Sequence, residues 1–523
     1  MASTETAASA PRSEDALGAQ REALHVRLRS STDPAAALAA GRELLALEPA
    51  DPDALYGTAR AHARRGETHE ALTLLTRAGV LAPERGDVVA LLADQAARAG
   101  QLHFALCAVR RWLDMEPFNA RARLLLAGLY GSLGHDEMSR RHARRAAGAQ
   151  PLVAQTARGE ARLRVLVLQT VASGSCSVQP NSATVQISEG HNNLPQLLDP
   201  RHIAQYTLRV DGLTEHPDIA AELPAIDLVY NGITDPERCR HALEAADSLC
   251  ARLVDEREVP VVNAPAEILA CTRDGNAARL ADWPQLIVPR SVALGRLVGD
   301  IGATVRAAIA EQGLQVPVIL RAAGFQGGRN MHLITDPARC NIRLQKPAEV
   351  FLVQYHDVSY ADRRLPERRL YPKYRAMLVG GTLYPCHRFV TADDYNVHRQ
   401  NSLPLAQAHE WIRAEERAYL RDPAGYLPAN QWRELESALR QLGLDYVGVD
   451  FAPATGEAEQ GRLVLFEINA AMRNWVLQLP TDDPVQQAWK RITAAVHHHF
   501  CRRAGVEPWS FSLPAPARGG VRG

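Results

Sequence analysis

The chain has little lysine, few aromatic residues and no long apolar run, and it carries no excess of charge. Its only lysines are Lys346, Lys373 and Lys490, so nearly all of the positive charge is arginine. The 59 basic residues balance the 59 acidic ones, which gives no electrostatic reason to expect nucleic acid or an anionic membrane as a partner. No apolar run reaches about 18 residues, the length of a membrane span. Residues 1–16 lack the apolar core of a signal peptide, and we expect a cytoplasmic protein.

The eight cysteines are scattered, with no C-x-x-C pair and no cluster with histidine, which favours a reducing compartment and argues against structural zinc. A composition of 46% apolar and 23% charged residues is typical of a globular protein. A length of 523 residues exceeds what one core supports, so several domains are expected. The run His497–His499 lies in a C-terminal helical pattern, where we predict a solvated helix face.

After residues 1–20, which are expected to form a flexible tail, the sequence repeats with a period of 34 residues. Each unit predicts a helix, a turn with glycine, a second helix and a proline stop. The repeating positions are Pro49, Pro83, Pro117 and Pro151, Gly66, Gly100 and Gly134, and Ala59, Ala93 and Ala127. The pattern resembles the tetratricopeptide repeat (TPR) and predicts an all-α solenoid over residues 21–155. Such an array either binds a peptide or protein or mediates self-association, for example as a homodimer, and the sequence does not choose between these.

Beyond Pro151 the pattern changes to strands that alternate with helices. The apolar runs RVLVLQ (164–169), IDLVYN (226–231) and VPVVN (259–263) predict buried strands, and about 236–257 predicts a helix. This alternation predicts parallel βαβ units in a Rossmann-like α/β domain over residues 160–265. The loop after the first strand lacks G-x-G-x-x-G, so we propose no dinucleotide site there.

The segment VPVILRAAGFQGGRN (316–330) places a buried strand directly before a glycine-rich loop. Gly324, Gly327 and Gly328 would let backbone amides curl around phosphate oxygens, and Arg321 would add a fixed positive charge. The alternative is a plain hairpin between VILR and MHLI. We favour the interpretation in which this hairpin also covers phosphates.

Two further strand patterns follow this loop. FLVQYHD (351–357) is an apolar strand with a polar end, whose backbone could hydrogen-bond an adenine edge while Asp357 reaches ribose hydroxyls. Residues 374–390 predict two strands around Gly380 and Gly381, which present Arg375 and Arg388. Residues 405–442 are predicted to be mostly helical.

The last two strand patterns carry oxygen ligands. LDYVGVDF (444–451) contains Asp450, and LVLFEIN (463–469) contains Glu467 and Asn469, which share one face because they lie two residues apart. An antiparallel hairpin would bring the three side chains together, in an arrangement that suits Mg²⁺. The alternative is an ordinary hairpin in which Asp450 caps a turn and Glu467 pairs with an arginine.

In this order, the features of residues 160–500 resemble the ATP-grasp superfamily, and within it the carboxylate–amine ligases. The resemblance implies an α+β ATP-grasp domain over residues 266–505, preceded by the α/β domain. It divides this domain into a glycine-loop subdomain at about 270–352 and a metal-binding subdomain at about 353–505, with a C-terminal tail at 506–523.

The resemblance also implies a site for ATP and Mg²⁺. It assigns metal binding to Asp450, Glu467 and Asn469, nucleotide binding to Arg321, Gly324, Gln326, Gly327, Gly328, Gln354, Tyr355, His356 and Asp357, catalysis to Arg375, Arg388 and Arg473, and substrate binding to Asn474 and His398. The family commonly uses lysine on the glycine-loop side, where this chain has Arg321 and Arg273, and arginine keeps the charge but differs in geometry.

The implied reaction activates a carboxylate as an acyl phosphate and joins it to an amine, on small molecules or on a peptide or carrier-presented substrate. Two alternatives stay open. The chain could be a TPR adaptor that binds nucleotide without turnover, or a kinase of the same fold that releases a stable phosphorylated compound.

Overall fold

The computed structural model describes residues 14–171, 175–179, 181–188, 190–322, 331–428, 430–474, 480 and 482–511. The chain forms two compact units. The first contains the helical region up to Pro151 and the segments Val171–Glu189 and Asp211–Pro217, and the second contains the rest. Among the described helices, none combines the length and the apolar character that crossing a bilayer requires.

Consecutive helix pairs make up most of the first unit, which is a TPR-like helical array. Its described helices are α1 (Glu14–Ser30), α2 (Pro34–Leu47), α3 (Pro52–Arg64), α4 (Thr68–Leu81), α5 (Gly86–Arg98), α6 (Leu102–Met115), α7 (Ala120–Ser132) and α8 (Asp136–Ala149). Each helix packs against its pair partner, and the second helix of one pair packs against the first helix of the next. The predicted tail of residues 1–20 is wrong from Glu14 onward, because α1 begins there.

The periodic glycines and alanines explain the geometry of these pairs. Gly66, Gly100 and Gly134 join the two helices of a pair at φ values of +77°, +72° and +80°, a left-handed conformation that glycine adopts without strain. The periodic alanines are fully buried, so the helices can approach closely; they are Ala59, Ala93 and Ala127.

Strands alternate with helices in the next part of the chain. The elements are β1 (Leu152–Gln155), β2 (Leu163–Gln169), β3 (Ser175–Val178), β4 (Val185–Ser188), β5 (Ile203–Arg209), α9 (Ile219–Glu222), β6 (Leu228–Asn231), α10 (Arg240–Arg257), β7 (Val261–Val262), α11 (Pro265–Ala270) and α12 (Arg273–Arg279). Five of the strands form one sheet in the order β1-β5-β2-β6-β7, in which β1 is the antiparallel edge and the other pairings are parallel. The buried apolar residues of β2 and β6 are typical of a parallel sheet covered on both faces.

The hairpin of β3 and β4 belongs to the first unit, where β3 packs against α7. The Ser132 hydroxyl accepts a hydrogen bond of 2.9 Å from the backbone N–H of Val178. A Cβ atom on Gly131 would lie 1.8 Å from the carbonyl oxygen of Cys176, so only glycine allows this approach. No sequence pattern predicted this hairpin.

Two further sheets make up most of the remaining chain. The elements are β8 (Leu286–Ile287), β9 (Ser291–Asp300), α13 (Gly302–Glu311), β10 (Val318–Ala322), β11 (Met331–Ile334), β12 (Arg343–Gln354), β13 (Tyr360–Asp362), β14 (Leu365–Val379), β15 (Thr382–Ala392), α14 (Arg399–Ala408), α15 (Glu410–Arg421), α16 (Pro423–Tyr426), α17 (Gln431–Arg440), β16 (Tyr446–Pro453), β17 (Leu463–Asn469) and α18 (Pro484–Arg503). The four-stranded sheet is antiparallel, in the order β11-β10-β12-β9. The six-stranded sheet has the order β13-β14-β16-β17-β8, with β15 also paired to β14.

Helix α18 joins the parallel sheet and the six-stranded sheet in one core. Its Phe500 packs on Tyr230 of β6 with ring centroids 5.2 Å apart, and it shares a buried cluster with Met377 of β14. His497 is fully buried, with ring centroids 4.4 Å from Trp509. The predicted solvated face is therefore wrong at His497, and the predicted tail is wrong at Trp509, which packs on the helix.

Candidate active site

A cleft of about 400 Å³ in the second unit is lined by residues of the four-stranded sheet and of the six-stranded sheet. The four-stranded sheet contributes Arg321 from β10, and the six-stranded sheet contributes Lys373 and Arg375 from β14. Apolar side chains such as Val353 and Phe466 form other parts of the wall. A mostly preformed cleft with apolar walls and a few converging charged groups is typical of a ligand site.

The hairpin of β16 and β17 brings the three predicted metal ligands together. Asp450 lies opposite Glu467 in the antiparallel register, and Asn469 lies opposite Gly448, so the three side chains share a face. Asn469 Nδ2 donates to Glu467 Oε1 at 3.0 Å. Asn469 Oδ1 accepts from the backbone N–H of Ala471 at 2.7 Å.

Asp450 is held as a buried carboxylate by two cations. Its oxygens accept from Arg375 Nε at 2.6 Å and Arg375 Nη2 at 2.8 Å, and Lys373 Nζ lies 3.3 Å away. Burial alone would raise the pKa of Asp450, but Arg375 and then Lys373 outweigh burial and hold that pKa well below its usual range. Asp450 is thus ionised at neutral pH.

Glu467 differs from Asp450 in having no cation within ion-pair distance among the residues that the structure describes. The alternative expectation, in which Glu467 pairs with an arginine, is not met among the described residues, where Asp450 is the carboxylate that pairs with Arg375. The described residues contain no group of three or more His, Cys, Asp or Glu side chains that could hold a metal ion. Mg²⁺ is, however, usually held by one or two carboxylates together with substrate phosphates, so the oxygen donors fit that ion, and the metal role stays a prediction.

Among the predicted nucleotide contacts that the structure describes, all except Asp357 line the cleft, but the side chain of Gln354 is already bonded to the backbone. Gln354 lines the cleft, yet its Nε2 donates to the carbonyl oxygen of Gln315 at 2.6 Å and its Oε1 accepts from the N–H of the same residue. This side chain therefore fixes the end of β12. Other predicted contacts that line the cleft are Arg321, Tyr355 and His356.

Asp357 does not line the cleft. Its Oδ1 accepts from the N–H of Ser359 at 2.9 Å and from the Tyr355 hydroxyl at 3.2 Å, so it is engaged in local structure. Four predicted nucleotide contacts of the glycine-rich loop fall outside the described residues: Gly324, Gln326, Gly327 and Gly328. The two strands that flank this loop, β10 and β11, do form the predicted hairpin.

Arg388 lies on the face of the sheet opposite to Arg375. It pairs with Tyr374 in the register, and its side chain is buried against Tyr374 and Tyr360, with Glu415 at 2.7 Å. The predicted catalytic role is therefore wrong for Arg388, because adjacent positions of a strand point to opposite faces and only Arg375 faces the cleft.

The residues just after β17 are also absent from the cleft lining. Asn474 is fully buried, and its Nδ2 donates to Thr493 Oγ1 at 2.9 Å on α18, so it fixes the loop to that helix. Arg473 is half-buried, and burial lowers the pKa of its guanidinium. The substrate role of Asn474 is contradicted by this engagement, and nothing places Arg473 at the cleft.

His398 lines the cleft and is the N-cap of α14, and its predicted substrate role stays a prediction. Burial, followed by the charge of Lys373, lowers the pKa of His398, so the ring is neutral at pH 7. Lys373 also lines the cleft and was not among the predicted site residues. Its spacing of two residues from Arg375 on a predicted strand would have placed both on one face.

No protein-family model matches the chain, and no curated protein matches its sequence. Solved structures match part of the chain. A structure of MamA is 18% identical, covers 26% of this chain and 75% of its own, and has a TM-score of 0.25. MamA 41-end from Desulfovibrio magneticus RS-1 is 24% identical over 26% of this chain and 75% of its own, with a TM-score of 0.24. YrrB, described as a TPR protein with an unusual peptide-binding site, is 19% identical over 25% of this chain and 68% of its own, with a TM-score of 0.24.

Proposed function

We propose that the second unit is a ligase of the ATP-grasp type that uses ATP and Mg²⁺ to join a carboxylate to an amine and releases ADP. In this proposal residues 160–265 form the Rossmann-like domain and residues 266–505 the ATP-grasp domain. The observation that carries the proposal is the meeting, at one cleft, of cationic side chains and Glu467, a carboxylate with no cation within ion-pair distance among the described residues.

The cations suit a triphosphate. Arg321 and Lys373 enter the cleft from different sheets, so they can contact phosphates from two sides. Asp450 uses only Nε and Nη2 of Arg375, which leaves further N–H groups of the guanidinium for a phosphate oxygen. The ion pair thus orients Arg375 before any ligand binds.

Glu467 and Asn469, with the remaining lone pairs of Asp450, would hold Mg²⁺ shared with the phosphates. When bound, the ion neutralises charge on the transferring phosphoryl group. An isolated carboxylate beside a triphosphate would otherwise repel it. The lack of a cationic partner for Glu467 among the described residues is therefore easier to explain in a site that takes a cation.

The proposed reaction needs no covalent nucleophile from the protein. A carboxylate oxygen of the substrate attacks the γ-phosphorus, the bond to the bridging oxygen breaks, and ADP leaves. The amine nitrogen then bonds to the acyl carbon, phosphate leaves, and the nitrogen loses a proton. Arg375 and Lys373 would stabilise the charge on the transferring group from fixed positions, so the protein contributes positioning and electrostatics.

The test is Mg²⁺-dependent ADP release, screened against pooled carboxylates and amines, with the variant Glu467→Gln. This change removes the charge and keeps the shape, so we expect turnover to fall by about 100-fold or more. Glu457→Gln, in the exposed turn of the same hairpin, is the matched control and should leave turnover unchanged. Unchanged turnover in Glu467→Gln would refute the metal assignment.

The two rival functions give different products. An adaptor would bind ATP without ADP release, and a kinase would release a stable phosphorylated compound without an amide. The three oxygen donors Asp450, Glu467 and Asn469 weigh against the adaptor, because a site without turnover has no need of all three. Mass analysis of the products separates the kinase from the ligase.

For the first unit we propose that a peptide or carrier-linked substrate binds the face formed by the first helices of the pairs. The β3–β4 hairpin already covers part of α7, so α1, α3 and α5 would supply the free face. We expect the full chain to use a peptide-linked carboxylate at least about tenfold more efficiently than the free acid. Equal efficiency would count against this role, and sedimentation velocity would then test self-association.

A further inference from the structure

Four arginines gather on the helices α6, α7 and α8 of the first unit. Arg123 and Tyr130 lie two turns apart on the same side of α7, and Arg141 and Arg145 lie one turn apart on the same side of α8. The ring of His142, also on α8, stacks on Tyr130 with ring centroids 5.5 Å apart. We call these arginines the arginine cluster; its members are Arg110, Arg123, Arg141 and Arg145.

Two members of the arginine cluster are fixed in place by neutral partners. Arg110 donates to the hydroxyl of Tyr130, and its guanidinium lies 5.8 Å from the centroid of that ring. Arg123 donates to the carbonyl oxygen of Pro117. Neither contact neutralises the charge, and each leaves further N–H groups of the guanidinium for a ligand. Part of the cluster is therefore oriented before anything binds.

The arginine cluster concentrates positive charge at the surface. Arg110, Arg141 and Arg145 are exposed, and Arg123 is partly buried. Burial, and then the charge of Arg145, lowers the pKa of Arg123. Burial, followed by the charges of the four arginines, lowers the pKa of His142 to about 4, so the ring is neutral at pH 7. The four charges thus lie close enough together to act on the same ring.

No carboxylate balances this charge among the residues that the structure describes. None of their ion pairs includes a member of the arginine cluster, whereas the neighbouring Arg121 pairs with Asp94. The sequence of α7 contains no acidic residue, and the acidic residues of α8, Asp136 and Glu137, lie in its first turn. The cluster is therefore a surface whose countercharge is missing from its own helices.

The countercharge is best explained by another protein. The residues outside the described ranges have two acidic side chains, Glu5 and Glu189, which are far apart in the sequence, so neither balances four arginines. An anionic membrane fits less well, because α8 buries Ala143, Ala146 and Ala147 within the first unit and does not present them to lipid. A nucleic acid would need a longer row of phosphate contacts than one cluster provides.

We propose that the arginine cluster binds an acidic peptide segment of a partner protein, in which at least two carboxylates lie close together. A guanidinium can donate through two parallel N–H groups to one carboxylate, so Arg141 and Arg145 would each take one. Arg110 and Arg123 would add donors that are already oriented. This surface is separate from the face of α1, α3 and α5, and binding here requires neither ATP nor the ligase activity.

The test measures the binding of hexaglutamate to the full chain by calorimetry, with hexaserine as the uncharged counterpart. At a salt concentration of about 0.15 M the screening length is about 8 Å, so distant charges contribute little. We expect hexaglutamate to bind at least about tenfold more tightly than hexaserine. The double variant Arg141→Gln with Arg145→Gln should weaken hexaglutamate binding by at least about tenfold, because two guanidinium groups leave the cluster.

The matched control is the double variant Arg140→Gln with Arg144→Gln. These exposed residues have the same spacing on the same helix, but they lie further from His142 by about 100° around the helix axis. The control should weaken hexaglutamate binding by less than about threefold. Neither double variant should lower the melting temperature, because no ion pair among the described residues is lost.

The proposal is overturned if hexaglutamate binds no more tightly than hexaserine, or if the two double variants weaken its binding equally, which would indicate the general charge of α8. It is also overturned if phosphatidylserine vesicles or a single-stranded oligonucleotide bind more tightly than hexaglutamate and lose that binding in Arg141→Gln with Arg145→Gln. Dimerisation in sedimentation velocity that hexaglutamate reverses would assign the cluster to a second copy of this chain instead, and would refute a separate partner.

Discussion

The ion pair between Arg375 and Asp450 gives a sharp test of how the cleft is held together. Asp450 is only 2% exposed and is bound through both oxygens to Arg375, with Lys373 as a second cation. Asp450→Asn removes the negative charge and leaves the two cations, Arg375 and Lys373, without their shared partner. Arg375→Met leaves the carboxylate with one cation in place. The two changes break the same contact but leave different charges behind.

The expected cost follows from what remains buried. Removing one partner of a buried pair typically costs about 3–5 kcal/mol, because the other charge is left uncompensated. We expect that full cost for Asp450→Asn. For Arg375→Met we expect about half of it, since Lys373 Nζ lies 3.3 Å from Asp450 Oδ2 and continues to neutralise the carboxylate.

Hydrogen exchange of β14 and β16 is the suitable assay, because these strands carry the pair. A loss of about 3 kcal/mol corresponds to an increase of roughly 100-fold in the opening equilibrium of their amides. Amides of α3 and α4, in the other unit, serve as the internal control and should exchange as before. The reasoning is refuted if Arg375→Met is the more damaging change, or if neither variant alters protection in β14 and β16.

The pH dependence of this contribution has a defined sign. The cations depress the pKa of Asp450 below the value of about 3.9 that an unfolded aspartate has. The stabilisation is therefore fully present above about pH 4 and is lost only as the pH falls through the depressed pKa. The ranking of the two variants should be the same at any pH between about 5 and 8.

Two other predictions test features that the sequence did not reveal. Gly131→Ala should expose the amides of β3 and β4 to hydrogen exchange, because the added Cβ would clash with the carbonyl oxygen of Cys176. Ser132→Ala removes only one hydrogen bond and should lower the free energy of unfolding by about 1 kcal/mol. Unaltered exchange in Gly131→Ala would disprove the packing. Burial, and then the neighbouring His498, lowers the pKa of His497 to about 4, so its contribution is present above about pH 6.5 and is lost as the pH falls toward 4. In His497→Phe the melting temperature should therefore fall less steeply as the pH is lowered from about 6.5 to 4. The same slope in the variant and the unaltered chain would contradict this.

Local patterns predicted the parts of the fold that depend on local chemistry. The helix pairs follow from the period of 34 residues, because a left-handed turn at Gly66 and its equivalents needs only glycine. The β14–β15 and β16–β17 hairpins follow from apolar runs on either side of turn residues. The β3–β4 hairpin could not be found in this way, since its position depends on Gly131, more than forty residues upstream.

The choice of Arg375 over Arg388 depends on register, which composition does not encode. The pairing of β14 with β15 shifts between Arg375 and Ala376, so that Arg375 opposes His387 and Ala376 opposes Pro385. A shift of one residue changes which side chains share a face, and a sequence pattern does not locate it. Arg375 and Arg388 lie in equivalent strand patterns in the sequence, but in the structure Arg375 lines the cleft and Arg388 donates to the hydroxyls of Tyr374 and Tyr360.

Sheet order also explains why the two carboxylates of one hairpin differ in charge environment. Asp450 and Glu467 lie opposite each other, but β16 is adjacent to β14, whose Lys373 and Arg375 neutralise Asp450. On its other side β17 pairs only with β8, at Leu463 and Val464, so no cation-bearing strand borders Glu467 among the described residues. Asp450 is thereby suited to hold the cationic side chains in position, and Glu467 to meet a charge that arrives with a ligand. This division of roles arises from the strand order, because in the sequence both residues are carboxylates on similar apolar strands.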